Sequence, residues 1–306
     1  MLQTAFENIS LLVICMAIGF AARRGKVLSD KDTPGLTSVT LNIMFPALLI
    51  MAMQREIEAG ALASSFMVIA LTLIIHAACL ILGFFILKGL KVKGDERIVL
   101  FLALLFPNMG FMGIPLINAM YGQESVLYAA LISSVMNAMV PTVGIMIILG
   151  SGGREHINVK SILLNKLVLS TIIGFTLFAF QIRIPTLLGN GLTMIGSATT
   201  PLSMIIIGSM LAANDLKSVF FGWKIYVVAL FRLMVFPLLV LLALRPIIAD
   251  GLAVTVLTML TAMPVAAITA IMAAEHGKEP QLASKIVFIT TILSIFTIPL
   301  MVMVVG

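Results

Sequence analysis

The stretch Phe106 to Gly122, FPNMGFMGIPLINAMYG, places residues capable of binding chemistry inside a long apolar run. Pro107 removes a backbone donor and clashes with the preceding turn, so a helix is expected to break there and to leave backbone groups unpaired. Asn108 follows it with both a donor and an acceptor, and Gly110 and Gly113 would let another backbone approach closely. Apolar surroundings tolerate such a break where it lines a cavity. The sequence therefore predicts a binding site at this break.

A second break is predicted in the other half of the chain, at TAMPVAAITA. Pro264 is followed by Val265 and by small residues, and Thr261 and Thr269 supply the nearby hydroxyl groups. Paired interruptions in matching helices indicate a binding site in which half-helix ends present partial charges to a substrate. The alternative is that both prolines only kink the helices for packing.

Two further asparagines, Asn42 and Asn137, stand in apolar stretches near Pro46 and Pro141. Neutral amides can bind a carboxylate and cost less to bury than charged groups. We therefore include both in the predicted site, although an amide at such a position can also simply bridge two helices.

Arg232 is the one full charge deep in an apolar stretch of the sequence. Burying such a charge is costly, so it is expected to have a hydrogen-bond partner or a functional role. In one interpretation it donates hydrogen bonds to carbonyls freed at the broken helices. In the other it supplies positive potential for an anionic substrate. The sequence leaves both interpretations open.

His76 is the candidate for a proton relay, because imidazole titrates near neutral pH. A lone histidine is more often a satisfied core residue. All 13 Asp and Glu residues fall in loops or at helix ends, so ion coupling is absent, carried by backbone and hydroxyl oxygens, or routed through His76. No nucleophile motif and no metal-ligand spacing is present, and we predict neither an enzyme nor a cofactor.

The composition is that of an integral membrane protein: of 306 residues 61% are hydrophobic and 10% charged, and the mean hydropathy is +1.18. We predict an all-α polytopic membrane protein with a single domain and ten transmembrane helices. The predicted spans are Asn8 to Ala22, Val39 to Met53, Leu62 to Leu87, Ile98 to Tyr121, Val126 to Leu149, Leu163 to Phe180, Leu192 to Ala212, Trp223 to Leu244, Gly251 to Ala274 and Leu282 to Val305.

The basic residues are distributed unequally between the two sides that ten spans define. One side holds Arg23, Arg24, Lys26, Lys31, Lys88, Lys91, Lys93, Arg97, Arg154, Lys160, Lys166, Lys217, Lys224, Lys278 and Lys285, and the other holds Arg55, Arg183 and Arg245. An excess of Lys and Arg marks the cytoplasmic side. We predict a multi-pass protein of the plasma (inner) membrane with both termini on the non-cytoplasmic side. The +6 charge reflects topology and does not indicate nucleic-acid binding.

Prolines and glycines in matching helices recur at a nearly constant sequence offset, which indicates that the chain contains a duplicated half. The offset is 155 for the IGF triplets at Ile18 and Ile173, for Pro46 and Pro201, and for Gly122 and Gly277, 157 for Pro107 and Pro264, and 158 for Pro141 and Pro299. Repeat 1 is predicted at about 1–150 and repeat 2 at about 160–306. Because five helices per repeat is an odd number, the second repeat must be inverted.

Several motifs together resemble the auxin efflux carrier family, which includes the plant PIN carriers and bacterial malate and malonate permeases. They are FPNMGFMGIPLINAMYG, SSVMNAMVP, NIMFPALL, RLMVFPLL, MPVAA and ASKIVFITTILSIFTIPL. The resemblance implies a scaffold of helices one, two, six and seven that forms a homodimer. It also implies a transport domain of helices three to five and eight to ten, in which helices four and nine cross at their breaks. Asn108 matches the asparagine that contacts substrate in the family. The long cytoplasmic loop of the plant members is replaced here by Gly150 to Lys160.

The expected function is secondary active or facilitative transport of a small organic anion, such as a mono- or dicarboxylate, across the lipid bilayer. The transport domain would move against the scaffold in an elevator-type cycle. The alternative is a gated anion channel, which would require a continuous polar stripe along several helices. Here the polar residues cluster at the breaks instead.

Overall fold

The computed structural model describes residues 2–29, 31–54, 56, 61–150, 166–212 and 222–305. Within these ranges the regular structure is helical, apart from one isolated β-bridge. The helices are α1 (Leu2–Arg24), α2 (Asp32–Ala52), α3 (Ala61–Gly89), α4 (Gly94–Leu105), α5 (Met109–Tyr121), α6 (Gln123–Leu149), α7 (Lys166–Ala179), α8 (Thr186–Ser197), α9 (Thr199–Ala212), α10 (Trp223–Leu244), α11 (Gly251–Thr261), α12 (Ala267–Glu275) and α13 (Pro280–Val305).

The predicted all-helical membrane class is confirmed, whereas the count of ten spans stays a prediction. In the described part of the chain, six helical stretches are long and apolar enough to cross a membrane: α2, α3, α6, α8 with α9, α10 and α13. Three shorter apolar helices, α5, α7 and α11, accompany them. Both predicted spans that contain a break are divided into two helices, α4 with α5 and α11 with α12.

Two predicted helix boundaries are wrong because apolar runs alone defined them. Helix α2 begins at Asp32 rather than Val39, since the Asp32 carboxylate accepts hydrogen bonds from the Ser29 amide (2.8 Å) and hydroxyl (2.6 Å). The single span predicted from Leu192 begins at Thr186 and is divided at Ala198, which has a turn conformation between α8 and α9. Of the predicted segments, residues 163–165 and 151–160 lie outside the described residues.

Four prolines inside the long helices are accommodated by π-helical turns. Pro46, Pro115 and Pro237 each follow such a turn by two residues, and Pro141 lies within one. Proline has no amide hydrogen and clashes with the carbonyl four residues earlier, so the backbone widens to i→i−5 bonding over that turn. The amide of Phe45 thus donates to the carbonyl of Thr40.

Glycines allow close helix contacts at two places related by the same offset. A Cβ on Gly19 of α1 would lie 2.0 Å from the Ile205 carbonyl oxygen of α9. A Cβ on Gly174 of α7 would lie 3.2 Å from the Ile50 Cα of α2. Gly174 lies 155 positions after Gly19, and Ile205 lies 155 positions after Ile50. This is the offset that the sequence repeat predicts.

The two broken helices occupy the centre of the protein. Residues 102–106, at the end of α4, are at most 1% exposed, and every residue from 256 to 266 is buried. A helix that is apolar on all sides belongs in an interior. The breaks are therefore enclosed by protein, which is the condition for irregular backbone at membrane depth.

Gly208 of α9 provides a test of the contact between α1 and α9, because a Cβ there would lie 1.9 Å from the Met16 carbonyl oxygen. We expect Gly208→Ala to lower the free energy of unfolding by about 1–3 kcal/mol, as forced overpacking does. Thermal unfolding of the purified protein in detergent measures the effect. Gly191→Ala in α8 is the matched control, since a Cβ at that position would meet nothing within 4 Å. Equal melting temperatures for both variants would contradict the contact.

Candidate functional site

The two breaks are joined directly by backbone hydrogen bonds. The Asn108 amide donates to the Pro264 carbonyl at 2.7 Å, and the Ala266 amide donates to the Phe106 carbonyl at 2.9 Å. Pro107 and Val265 thereby form an antiparallel bridge. The Val265 amide donates to the Thr290 hydroxyl of α13 at 3.1 Å. Backbone groups that the prolines release from the helices are thus satisfied within the crossing.

Arg232 of α10 binds carbonyls at the ends of both half-helices that lead into the crossing. Its Nη1 donates to Leu104 of α4 at 2.9 Å, its Nε donates to Met263 at 3.3 Å, and its Nη2 donates to Thr261 of α11. In an unbroken helix Leu104 would accept from the Asn108 amide, which here binds Pro264 instead. The guanidinium therefore replaces amides that the breaks have taken away.

This geometry supports the structural interpretation of Arg232. The residue is 1% exposed, and its charge lies at the C-terminal ends of α4 and α11, where the helix dipole favours a cation. A planar fork with several donors suits three carbonyls held at different angles. The arginine is not among the residues that line the cavity beside the crossing.

That cavity has a volume of about 450 Å³ and is bordered by two groups of helices. One wall comes from α2, α7 and α9, through Thr37, Leu41, Asn42, Lys166, Leu167 and Met210. The opposite wall comes from the crossing and from α6, through Pro107, Met109, Phe111, Met136, Asn137, Val140, Pro141, Ala266, Ala267, Ile268 and Ile271. The cavity therefore lies where these two groups of helices meet.

The beginnings of both half-helices after the breaks face this cavity. Met109 is the first residue of α5 and Ala267 the first residue of α12, and both are in the lining. The first amides of a helix have no partner in the helix, and the dipole makes this end positive. The crossing thus presents two positive helix ends to the cavity, while Arg232 binds the negative ends on its other side.

Polar side chains reach the cavity from both walls. Asn42 donates through Nδ2 to the Ser38 carbonyl (2.8 Å) and hydroxyl (3.0 Å), which leaves its own carbonyl oxygen as an acceptor. Asn137 is half-buried on the opposite wall. Each asparagine lies four residues before a proline, so the backbone carbonyl of each lacks its usual helical partner as well.

The structure separates the other predicted site residues from the cavity. Asn108 is 8% exposed and, like Pro264 and Val265, is absent from the lining. The close approach predicted at Gly110 is wrong, because a Cβ there would meet nothing within 4 Å. At Gly113 a Cβ would lie 2.6 Å from Leu260 Cδ2, so the close neighbour there is a side chain and not the backbone that the sequence predicted.

His76 lies in the buried part of α3, away from the cavity lining. Its Nδ1 is 2.8 Å from the Thr72 carbonyl, so Nδ1 carries the hydrogen in this contact. Cys79, three residues later, is a buried free thiol. Over the ranges that the structure describes, no three His, Cys, Asp or Glu side chains come together as a metal site.

Lys166 is the lining residue that the sequence analysis missed. It is the one charged residue among the described residues of the lining. In the sequence it counted only toward topology, as a basic residue near the beginning of the span predicted from Leu163 to Phe180. The packing of α7 against α2 and α6 brings Lys166 to the cavity. No local sequence pattern predicts that packing.

Comparisons with known proteins identify a family and two related transporters. A profile of the membrane transport protein family matches residues 4–302. An uncharacterized transporter from Methanocaldococcus jannaschii is 25% identical over 305 residues, with 96% of each chain covered. An uncharacterized transporter from Methanothermobacter thermautotrophicus is 23% identical over 303 residues, again with 96% of each chain covered. The chain belongs to the membrane transport protein family, which confirms the resemblance to auxin efflux carriers.

Replacing Arg232 by lysine tests the role of the planar fork. Lysine keeps the charge but cannot hold three carbonyls at once, so we expect Arg232→Lys to lower the free energy of unfolding by about 2 kcal/mol or more. Thermal unfolding in detergent measures it. Arg245→Lys, at an exposed position after the same helix, is the control and should melt like the original protein. An Arg232→Lys protein that keeps its melting temperature would contradict the structural interpretation.

Proposed function

We propose that this member of the membrane transport protein family is a carrier for a small organic anion, with a monocarboxylate favoured over a dicarboxylate. The observation that carries the proposal is the cavity of about 450 Å³ at the crossing. It combines one lysine and two asparagines with two positive helix ends, and no carboxylate is among its described lining residues. Positive helix ends, the Lys166 ammonium group and the Asn137 amide donor favour an anion.

The rest of the lining argues for a substrate with an apolar body. Apart from Thr37, Asn42, Asn137 and Lys166, the lining residues are aliphatic, aromatic, methionine or proline. Small-molecule sites of some 300–1,000 Å³ are mostly apolar, with a few polar groups that fix orientation. One cationic side chain matches one carboxylate, whereas a second carboxylate would enter apolar surroundings without a charged partner.

The transport mechanism we propose is movement of the crossing against a scaffold. The transport domain would contain α3 to α6 and α10 to α13, and the scaffold would contain α1, α2 and α7 to α9 and would form the homodimer. Two features support this division: the cavity lies between the two groups, and glycines make the close scaffold contacts of α1 with α9 and of α2 with α7. The contacts repeat at an offset of 155, as two inverted five-helix repeats would require.

Two parts of the predicted site acquire different roles in this proposal. Asn137 would donate to the substrate carboxylate directly, and Asn42, whose Nδ2 already donates to Ser38, would line the other wall. Asn108, Pro264 and Val265 would form the crossing on which the positive helix ends depend. His76 as a proton relay and both termini on the non-cytoplasmic side remain part of the proposal.

Thermal shift of the purified protein tests the proposed substrate class. The panel consists of benzoate, phenylacetate, hexanoate and malonate, each paired with its neutral amide. We expect stabilisation by at least one monocarboxylate and none by its amide. Asn137→Ala should weaken the affinity for that carboxylate roughly tenfold, because it removes a hydrogen bond to a charged group. Asn118→Ala, in α5 but outside the lining, is the control.

The same panel in proteoliposomes separates a carrier from a channel. Saturable uptake that is stimulated by unlabelled carboxylate on the opposite side identifies a carrier, and single-channel currents would contradict one. If the amides stabilise the protein as strongly as the acids do, the organic-anion proposal is wrong. It is also wrong if none of the compounds stabilises the protein. Unchanged affinity in Asn137→Ala would place the substrate elsewhere.

A further inference from the structure

The cavity is closer to one end of the helices than to the other. Thr37 lies near the beginning of α2, Lys166 begins α7, and Met210 lies near the end of α9. The chain segments next to these helix ends carry Arg23 and Arg24, Lys160, and Lys217. These segments belong to the side with the excess of basic residues, which the positive-inside rule assigns to the cytoplasm.

Lys166 has no described carboxylate as an ion-pair partner. Two other lysines at this end are paired: Lys224 with Glu96 at 2.9 Å, and Lys278 with Asp95 at 3.0 Å. Within the described residues Lys166 lacks a comparable contact, although its side chain is exposed and lies at the cavity. An ammonium group on a flexible stem can therefore pair with an anion in the cavity.

Lys166 and the crossing belong to different groups of helices around the cavity. Lys166 begins α7, which packs against α2, whereas the positive helix ends belong to α5 and α12. If the crossing moves against the scaffold, a substrate held at the crossing leaves Lys166 behind. The helix ends and Asn137 would stay with the substrate throughout.

We propose that Lys166 is a scaffold-borne specificity residue that pairs with the substrate carboxylate only while the site faces the cytoplasm. This inference rests on the proposed function. Lys166 raises the affinity for the anion on the cytoplasmic side and leaves the affinity on the other side unchanged. The carrier is then asymmetric: it captures its substrate more tightly from the cytoplasm than it does from outside.

Uptake into membrane vesicles of defined orientation tests this asymmetry. Inside-out vesicles expose the cytoplasmic face and right-side-out vesicles the other face, and radiolabelled phenylacetate, benzoate and hexanoate are the probes. We expect Lys166→Gln to raise KM roughly tenfold from the cytoplasmic face, as the loss of one charge-assisted contact does. From the outer face KM should change less than twofold. Lys166→Arg should restore most of the affinity, because it keeps the charge.

Lys88→Gln is the matched control, since it removes one exposed positive charge from the same predicted side but lies outside the cavity lining. Its KM from both faces should equal that of the original protein. A KM raised equally from both faces in Lys166→Gln would overturn the inference, and so would an unchanged KM or a failure of Lys166→Arg to restore binding. If the original protein transports none of the three probes, the proposed function fails first, and the inference falls with it.

Discussion

The structure depends on how the backbone groups freed by Pro107 and Pro264 find partners in an apolar interior. Each break separates a C-terminal helix end, rich in carbonyls, from an N-terminal end, rich in amides. Arg232 binds the carbonyl ends of both α4 and α11. The two breaks also exchange hydrogen bonds with each other. One guanidinium and one antiparallel bridge thus satisfy most of the irregular backbone and leave the amide ends of α5 and α12 for the cavity.

These contacts also tie the crossing to particular helices. Arg232 belongs to α10, and the Thr290 hydroxyl that accepts the Val265 amide belongs to α13. A displacement of the crossing relative to either helix would leave a buried polar group unpaired, which is costly in a low-dielectric interior. The crossing, α10 and α13 are therefore expected to move as one body. In the carrier we propose, relative motion would be confined to surfaces held by apolar contacts, such as the cavity wall formed with α2 and α7.

The sequence predicted the parts of this arrangement that a single residue controls. A proline removes one helical hydrogen bond wherever it stands, and the interruptions predicted at Pro107 and Pro264 are present. A buried arginine requires partners, so its binding to freed carbonyls was one of two interpretations. The direction in which side chains point at the break could not be predicted from the sequence. Asn108 next to Pro107 was the strongest candidate on spacing, yet Asn137, further along the chain in α6, lines the cavity. Lys166 escaped notice because its place depends on how α7 packs, and Ala198 because turn geometry between apolar residues has no strong sequence signal.

The composition of the cavity bears on turnover as well as on affinity. A carrier must release what it binds, so a site with several buried charges would hold an organic anion too tightly. Here the permanent charge in the described lining is a single exposed lysine on one wall, while the other wall offers amide groups and partial helix charges. Such partial charges give modest stabilisation and need no counter-ion when the site is empty. In the carrier we propose, a site of this kind could return unloaded without an uncompensated buried charge, because the buried Arg232 guanidinium is already paired with carbonyls of the protein itself.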